Sequence, residues 1–229
     1  MDMRHVPTHT DDQAATMPHR ISGELVPVLE FELSEARSVY FEHYILLYKS
    51  PSVRLAAAMP RGALKRLLGK MPVFLTRAEG DGLLAVSRDG PGQVFGVHIP
   101  AGGALEVREH QFLAASGNLG YGFSRVRGVA NLLLGGSGFF VDRFTASREP
   151  GTLWLHAYGN LVEVELGPGE AFDVEPGAWC YKDADVRMQL VPINVAAGLL
   201  SSHHLLLNRF TGPGRVGIQS MSVYLPSDE

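Results

Sequence analysis

The sequence predicts an all-β protein of three fused copies of one unit, set around a pseudo-threefold axis, and three observations carry that expectation. The first is a recurring tetrad: Phe-Leu-Thr-Arg ending at Arg77, Phe-Val-Asp-Arg ending at Arg143 and Leu-Leu-Asn-Arg ending at Arg209, each 66 residues from the next. A constant interval is the signature of duplicated structural units. The second is an independent register: segments beginning at Ser38, Ala104 and Ala171 each alternate apolar with polar residues before a short apolar run. Alternation with a period of two marks strands with one buried face. The third is turn chemistry, since 26 glycines and 14 prolines punctuate the chain at Gly80-Asp81-Gly82, Gly90-Pro91-Gly92, Gly167-Pro168-Gly169 and Gly212-Pro213-Gly214. Many short strands between such turns make a β architecture.

Taken from the N-terminus, residues 1–20 read as a flexible tail, because Pro7, Asp11, Asp12, Pro18, several threonines and three histidines offer no periodic hydrophobicity to offset the entropy of ordering. This stretch lacks the apolar core of about 7 to 15 residues that a signal peptide needs. No later window reaches the roughly 18 apolar residues of a membrane span. A cytoplasmic location is expected.

Residues 21–229 then form one domain of three repeats, about 21–80, 81–147 and 148–229, and the 45% hydrophobic content suffices for a shared core. In the first repeat, Tyr48-Lys49 followed by Val53-Arg54-Leu55 anticipates Tyr181-Lys182 followed by Val186-Arg187-Met188 in the third. The middle copy departs there, reading Ser116-Gly117-Asn118-Leu119-Gly120-Tyr121. Between strands of the first repeat lies PRGALKRLLGKMP, whose Leu64, Leu67 and Leu68 can form one face of a short helix carrying Arg61, Lys65, Arg66 and Lys70. Those four bases are the candidate contact for an anionic membrane surface or a protein partner. The alternative is a connecting helix with solvated bases over a leucine-covered core. The matching connectors in the other repeats, residues 126–140 and 196–208, are equally apolar but not equally basic. Together the three either plug the core or form an apolar patch that meets another molecule.

Charge and cysteine content narrow the function classes. With 20 basic and 24 acidic residues the net charge is −4, and no basic stripe runs along a predicted face, so no nucleic-acid partner is expected. A lone Cys180 between Trp179 and Tyr181 reads as a buried inert thiol. Leu134-Gly135-Gly136-Ser137-Gly138 lacks the Lys-Ser or Lys-Thr of a phosphate loop and precedes a strand-like Phe139-Phe140-Val141. It reads as a tight turn.

No metal or cofactor is expected. His98, His110 and His156 are isolated on strand-like segments, and adjacent His203 and His204 would point to opposite faces of a strand. Glu163 with Glu165, and Asp173 with Glu175, each share a strand face, where solvation is the ordinary reading. Nothing beside them supplies a nucleophile, so no catalytic residues are assigned. The sharpest candidate is the repeated arginine: Arg77, Arg143 and Arg209 either converge on an anionic ligand through forked donors or satisfy carboxylates within their own units.

Four stretches carry a resemblance. Gly-Gly-Ser-Gly-Phe-Phe at 135–140, Gly151-Thr-Leu-Trp-Leu-His-Ala-Tyr-Gly159, the strand 161–166 with Gly167-Pro168-Gly169-Glu170, and Phe210 to Ser220 are together similar to the family named for altered inheritance of mitochondria, the mitochondrial biogenesis family. The resemblance covers nearly everything after residue 20. It implies three fused copies of the double-stranded β-helix unit of the trp RNA-binding attenuation protein, with oligomerisation common to such units. It does not carry RNA binding, because the basic and aromatic ring positions of that protein have no match here. The chain departs from commoner members at Leu33-Ser34-Glu35-Ala36, where a Pro-Gly turn is missing.

The sequence therefore predicts a non-catalytic homo-oligomeric binding or assembly module. A small anionic-ligand binder using the three arginines is the alternative, and a cupin-like metalloenzyme is the third reading, on fold grounds alone.

Overall fold

The computed structural model describes residues 1–5, 17–58, 75–126, 139–192 and 206–222. Among the described residues it is all-β, with antiparallel ladders throughout and one 3₁₀ turn at His43–Ile45. No helix among the described residues is long and apolar enough to cross a membrane.

Two short strands come first, β1 (Asp2–His5) and β2 (His19–Ser22). Six strands follow in a first unit: β3 (Val28–Leu33), β4 (Val39–Glu42), β5 (Leu46–Lys49), β6 (Arg54–Ala58), β7 (Leu75–Glu79) and β8 (Gly82–Ser87). Six more make a second: β9 (Gly92–Ile99), β10 (Ala104–Val107), β11 (Phe112–Ser116), β12 (Gly120–Val126), β13 (Phe139–Thr145) and β14 (Gly151–Tyr158). The third holds β15 (Leu161–Leu166), β16 (Ala171–Val174), β17 (Trp179–Asp183), β18 (Arg187–Pro192), β19 (Leu206–Thr211) and β20 (Gly214–Gln219).

The wiring is the same in each unit. The first strand pairs with the sixth and the sixth with the third, as β3·β8·β5, β9·β14·β11 and β15·β20·β17. The second pairs with the fifth and the fifth with the fourth, as β4·β7·β6, β10·β13·β12 and β16·β19·β18. Even the irregularity is copied: the third strand slips by one residue at Leu47, at Leu113 and at Cys180. A bulge aims one extra residue out of the ladder and bends the strand, so its repetition reproduces local shape as well as pairing.

Neighbouring units join edge to edge. β4 pairs with β11 and β10 with β17, which fuses the ladders into sheets of six and seven strands. β16 and β5 occupy the corresponding edges of the third and first units, and each ends its own sheet.

Alternation builds the elements as expected. In β3, Leu29, Phe31 and Leu33 face inward while the glutamates between them point out. The hairpin into β8 begins at Gly82 with φ 137°, and the hairpin into β20 begins at Gly214 with φ 131°. A side chain at either position would be strained, which is why glycine opens both strands. Trp154 on β14 is fully buried, with its ring 4.7 Å from Phe31 and edge-on to it. A second aromatic group gathers Phe112, Phe144, Tyr121 and Tyr40, and a third sets Trp179 against Phe210.

Three expectations change. The first concerns residues 1–20, which are not wholly a tail: Asp2–His5 adds to β15 and His19–Ser22 adds to β3, with Met17 buried. Segments of four residues carry too little periodicity to register in a sequence, yet each finds an open sheet edge that supplies the backbone bonds. The second concerns the repeat boundaries near 80 and 147, which fall between the fifth and sixth strands, whereas the ladders close the units at β8, β14 and β20. The arginine tetrad marks the fifth strand, and the glycine turn after it imitates an end. The third concerns the middle copy: Gly120–Val126 takes the same place as β6 and β18 despite its different sequence. The basic residues Arg61, Lys65, Arg66 and Lys70, the glycine run at 134–138, His203 and His204 lie outside the described residues.

Candidate functional site

Each repeated arginine stands on the fifth strand of its unit, opposite a residue of the second strand. Arg143 faces Glu106 and Arg209 faces Asp173, while Arg77 faces Tyr40. Arg143 Nη1 donates to Glu106 Oε1 at 2.7 Å. Arg209 grips Asp173 through Nε and Nη2, both at 2.6 Å, and this bidentate pair holds the Asp173 carboxyl below the usual carboxylate range. Arg77 lacks a carboxylate opposite it and instead donates to Ser38 Oγ at 3.0 Å and to the Gly117 carbonyl at 3.2 Å. The three arginines lie in three different sheets, and each is held by groups that flank it. Arg143 lines a groove of about 650 Å³ together with Arg215, Asp183, Asp185 and Glu165. Arg77 lines another of about 730 Å³ with Arg148 and Glu149. Carboxylates face the cations in both grooves.

Glu106 does more than meet Arg143. Its other oxygen lies 2.7 Å from Lys182 Nζ, whose side chain is 4% exposed. Lys182 also donates to the Val186 carbonyl at 2.7 Å. The junction between β10 and β17 is thus closed by an Arg143–Glu106–Lys182 triad across three adjacent strands.

A second polar group sits where the second strand of the first unit turns into the third. Arg88 is buried, and its guanidinium meets Glu42 at 2.9 Å, the Tyr44 hydroxyl at 2.8 Å and the Phe112 carbonyl. Burial opposes the Arg88 charge, but Glu42 and Tyr44 outweigh it and raise its pKa. Burial in turn pushes the Tyr44 phenol up to about 12. Tyr44 also reaches His110 Nδ1 at 3.5 Å, and His110 holds φ 67° in the equivalent turn of the second unit. Nearby, His156 is 1% exposed and stacks edge-on with Tyr158 at 4.7 Å. Burial, reinforced by the Arg88 charge, lowers the His156 imidazole to about 4, so it is neutral at physiological pH. Cys180 is fully buried beside Gln111, and burial pushes its thiol well up.

The terminal strands bring a third arrangement. β1 delivers Arg4 to Glu163, where Arg4 Nε donates at 2.8 Å and the Tyr181 hydroxyl donates as well. β2 delivers Arg20 to Glu30 at 2.9 Å, where the Tyr48 hydroxyl donates at 2.5 Å. Two units therefore carry the same Arg–Glu–Tyr group. Glu163 is buried, which corrects the reading of Glu163 and Glu165 as a solvated pair. A buried carboxylate needs donors, and here they come from two strands remote in sequence. The trace of this in the sequence is the repetition of Glu30 as Glu163 and of Tyr48 as Tyr181, each 133 residues apart. No group of three or more His, Cys, Asp or Glu among the described residues is placed to hold a metal.

These features can be set beside known proteins. The family model described as Mitochondrial biogenesis AIM24 matches residues 19–221. A search of curated proteins finds no match. Among solved structures, a Streptococcus pyogenes protein determined by the Northeast Structural Genomics Consortium superposes with a TM-score of 0.71 at 22% identity, covering 90% of this chain and 94% of that one. At that identity the likeness concerns the fold. The family match spans nearly all the ladders described above, and on it the chain belongs to the mitochondrial biogenesis AIM24 family.

Proposed function

We propose that this protein is a non-catalytic assembly module of the cytoplasm that works as a homo-oligomer, its three units forming a pseudo-threefold scaffold of the double-stranded β-helix kind. The identical ladders in three consecutive segments support the threefold reading. One observation carries the assembly reading. The edge strands that meet inside the molecule at β4·β11 and β10·β17 are almost entirely buried, whereas their counterparts β5 and β16 face solvent. Leu47 and Tyr48 on β5, with Leu55 close by in sequence, are exposed large hydrophobic residues beside that open edge. A surface of that kind favours association over catalysis as the use of this fold.

Sedimentation equilibrium of the full chain tests the reading. A defined oligomer at micromolar concentration is expected, and a single chain at every concentration would overturn it.

A further inference from the structure

We propose that β5 of one chain pairs antiparallel with β16 of a second copy, with Lys49 opposite the partner's Asp173. This deepens the assembly reading and rests on it.

The inference comes from comparing three equivalent junctions. At the β10·β17 junction Glu106 stands opposite Lys182 and Val107 opposite Tyr181. At the β4·β11 junction the same positions hold Tyr40 and Ala115. Carried to the third unit and the first, the register places Asp173 opposite Lys49 and Val174 opposite Tyr48. The chemistry is that of the closed junction. Arg143, Glu106 and Lys182 form a complete triad, with 2.7 Å on each side of the carboxylate. Arg209 and Asp173 form two-thirds of the same triad, at 2.6 Å. The missing cation is Lys49, whose ammonium, among the described residues, donates to its neighbour's carbonyl, Ser50 O, at 3.3 Å.

Burial agrees with charge. Leu47 is 52% exposed and Tyr48 49%, while their equivalents Leu113 and Cys180 are 0% exposed and Ala114 and Tyr181 no more than 1%. Each chain thus carries one acidic edge and one basic, apolar edge that fit one another. A second copy supplies the complement of either edge, and because β5 and β16 are different surfaces the contact is head-to-tail.

Cysteine linkage tests this with full-length chains. Cys180 is fully buried and does not compete. Lys49→Cys in one preparation and Asp173→Cys in another, mixed and mildly oxidised, are expected to give a disulfide-linked pair in greater yield than either alone. The double variant K49C/D173C is expected to link two chains. An internally linked single chain would overturn the proposal in favour of closure within one molecule, and no linkage at all would overturn it outright. In parallel, Lys49→Glu is expected to weaken self-association by at least about tenfold, because it sets like charges face to face. If the wild type assembles and Lys49→Glu assembles equally well, this interface falls while the assembly reading stands. A wild type that never associates removes both.

Discussion

Replacing Glu106 by alanine tests the packing argument most directly. The substitution strips the carboxylate from Lys182, whose side chain is 4% exposed, and from Arg143, which is 38% exposed on its own side. Leaving a buried cation without its partner costs about 3–5 kcal/mol. The Arg143 half adds at most about 1 kcal/mol, since solvent already screens it. For a chain of this size each kcal/mol lowers the melting temperature by about 2–4 °C. A loss of roughly 6–24 °C is therefore expected. Urea denaturation followed by tryptophan fluorescence reads it well, because Trp154 and Trp179 are both fully buried and report the core. The midpoint should fall with an unchanged slope. The double variant E106L/K182M removes both charges and is expected to lie near wild type, since a well-packed apolar pair replaces a buried ion pair at little cost. A Glu106→Ala loss below about 1 kcal/mol, or equal losses in the single and double variants, would refute the reasoning.

Other outcomes follow from the same coordinates. The folded His156 imidazole titrates at about 4 against an ordinary 6.5, so below pH 6.5 the unfolded chain takes up a proton that the folded chain refuses. Stability is fully present above pH 6.5 and falls toward pH 4 by about 3 kcal/mol, and His156→Gln should flatten that slope in pH-dependent urea titrations. Gly92→Ala places a Cβ against the Ala157 carbonyl and the His156 ring and is expected to destabilise by about 1–3 kcal/mol, whereas Gly122→Ala, which meets nothing within 4 Å, should stay within about 0.5 kcal/mol. Cys180 should resist thiol reagents in the native protein and react only on unfolding, as a fully buried thiol with a raised pKa must. The triple variant R77A/R143A/R209A, compared with wild type by native mass spectrometry, should show no bound small mass that only the wild type retains. A mass lost with the arginines would favour the anionic-ligand alternative.

The interval between Arg77, Arg143 and Arg209 was readable because duplication copies spacing, and spacing survives wherever turn lengths do. All-β character was readable for the same kind of reason, since period-two alternation is a local property of residues such as Leu29, Glu30 and Phe31. The partner of each arginine was partly legible: Glu106 and Asp173 hold the same ladder place opposite their arginines, at sequence offsets that differ by one residue, but Tyr40 holds that place in the first unit. Other features depended on contacts between distant residues. Burial of Glu163 needs Arg4 from β1 and Tyr181 from β17, and no local pattern announces either. The neutral state of His156 depends on its burial and then on the Arg88 charge, delivered from the loop after β8. Sequence by itself determined the strand-forming pattern and the family. Only the tertiary structure decided which edges are closed and which stay open, because two copies of an edge can be alike in sequence and differ entirely in what lies beside them.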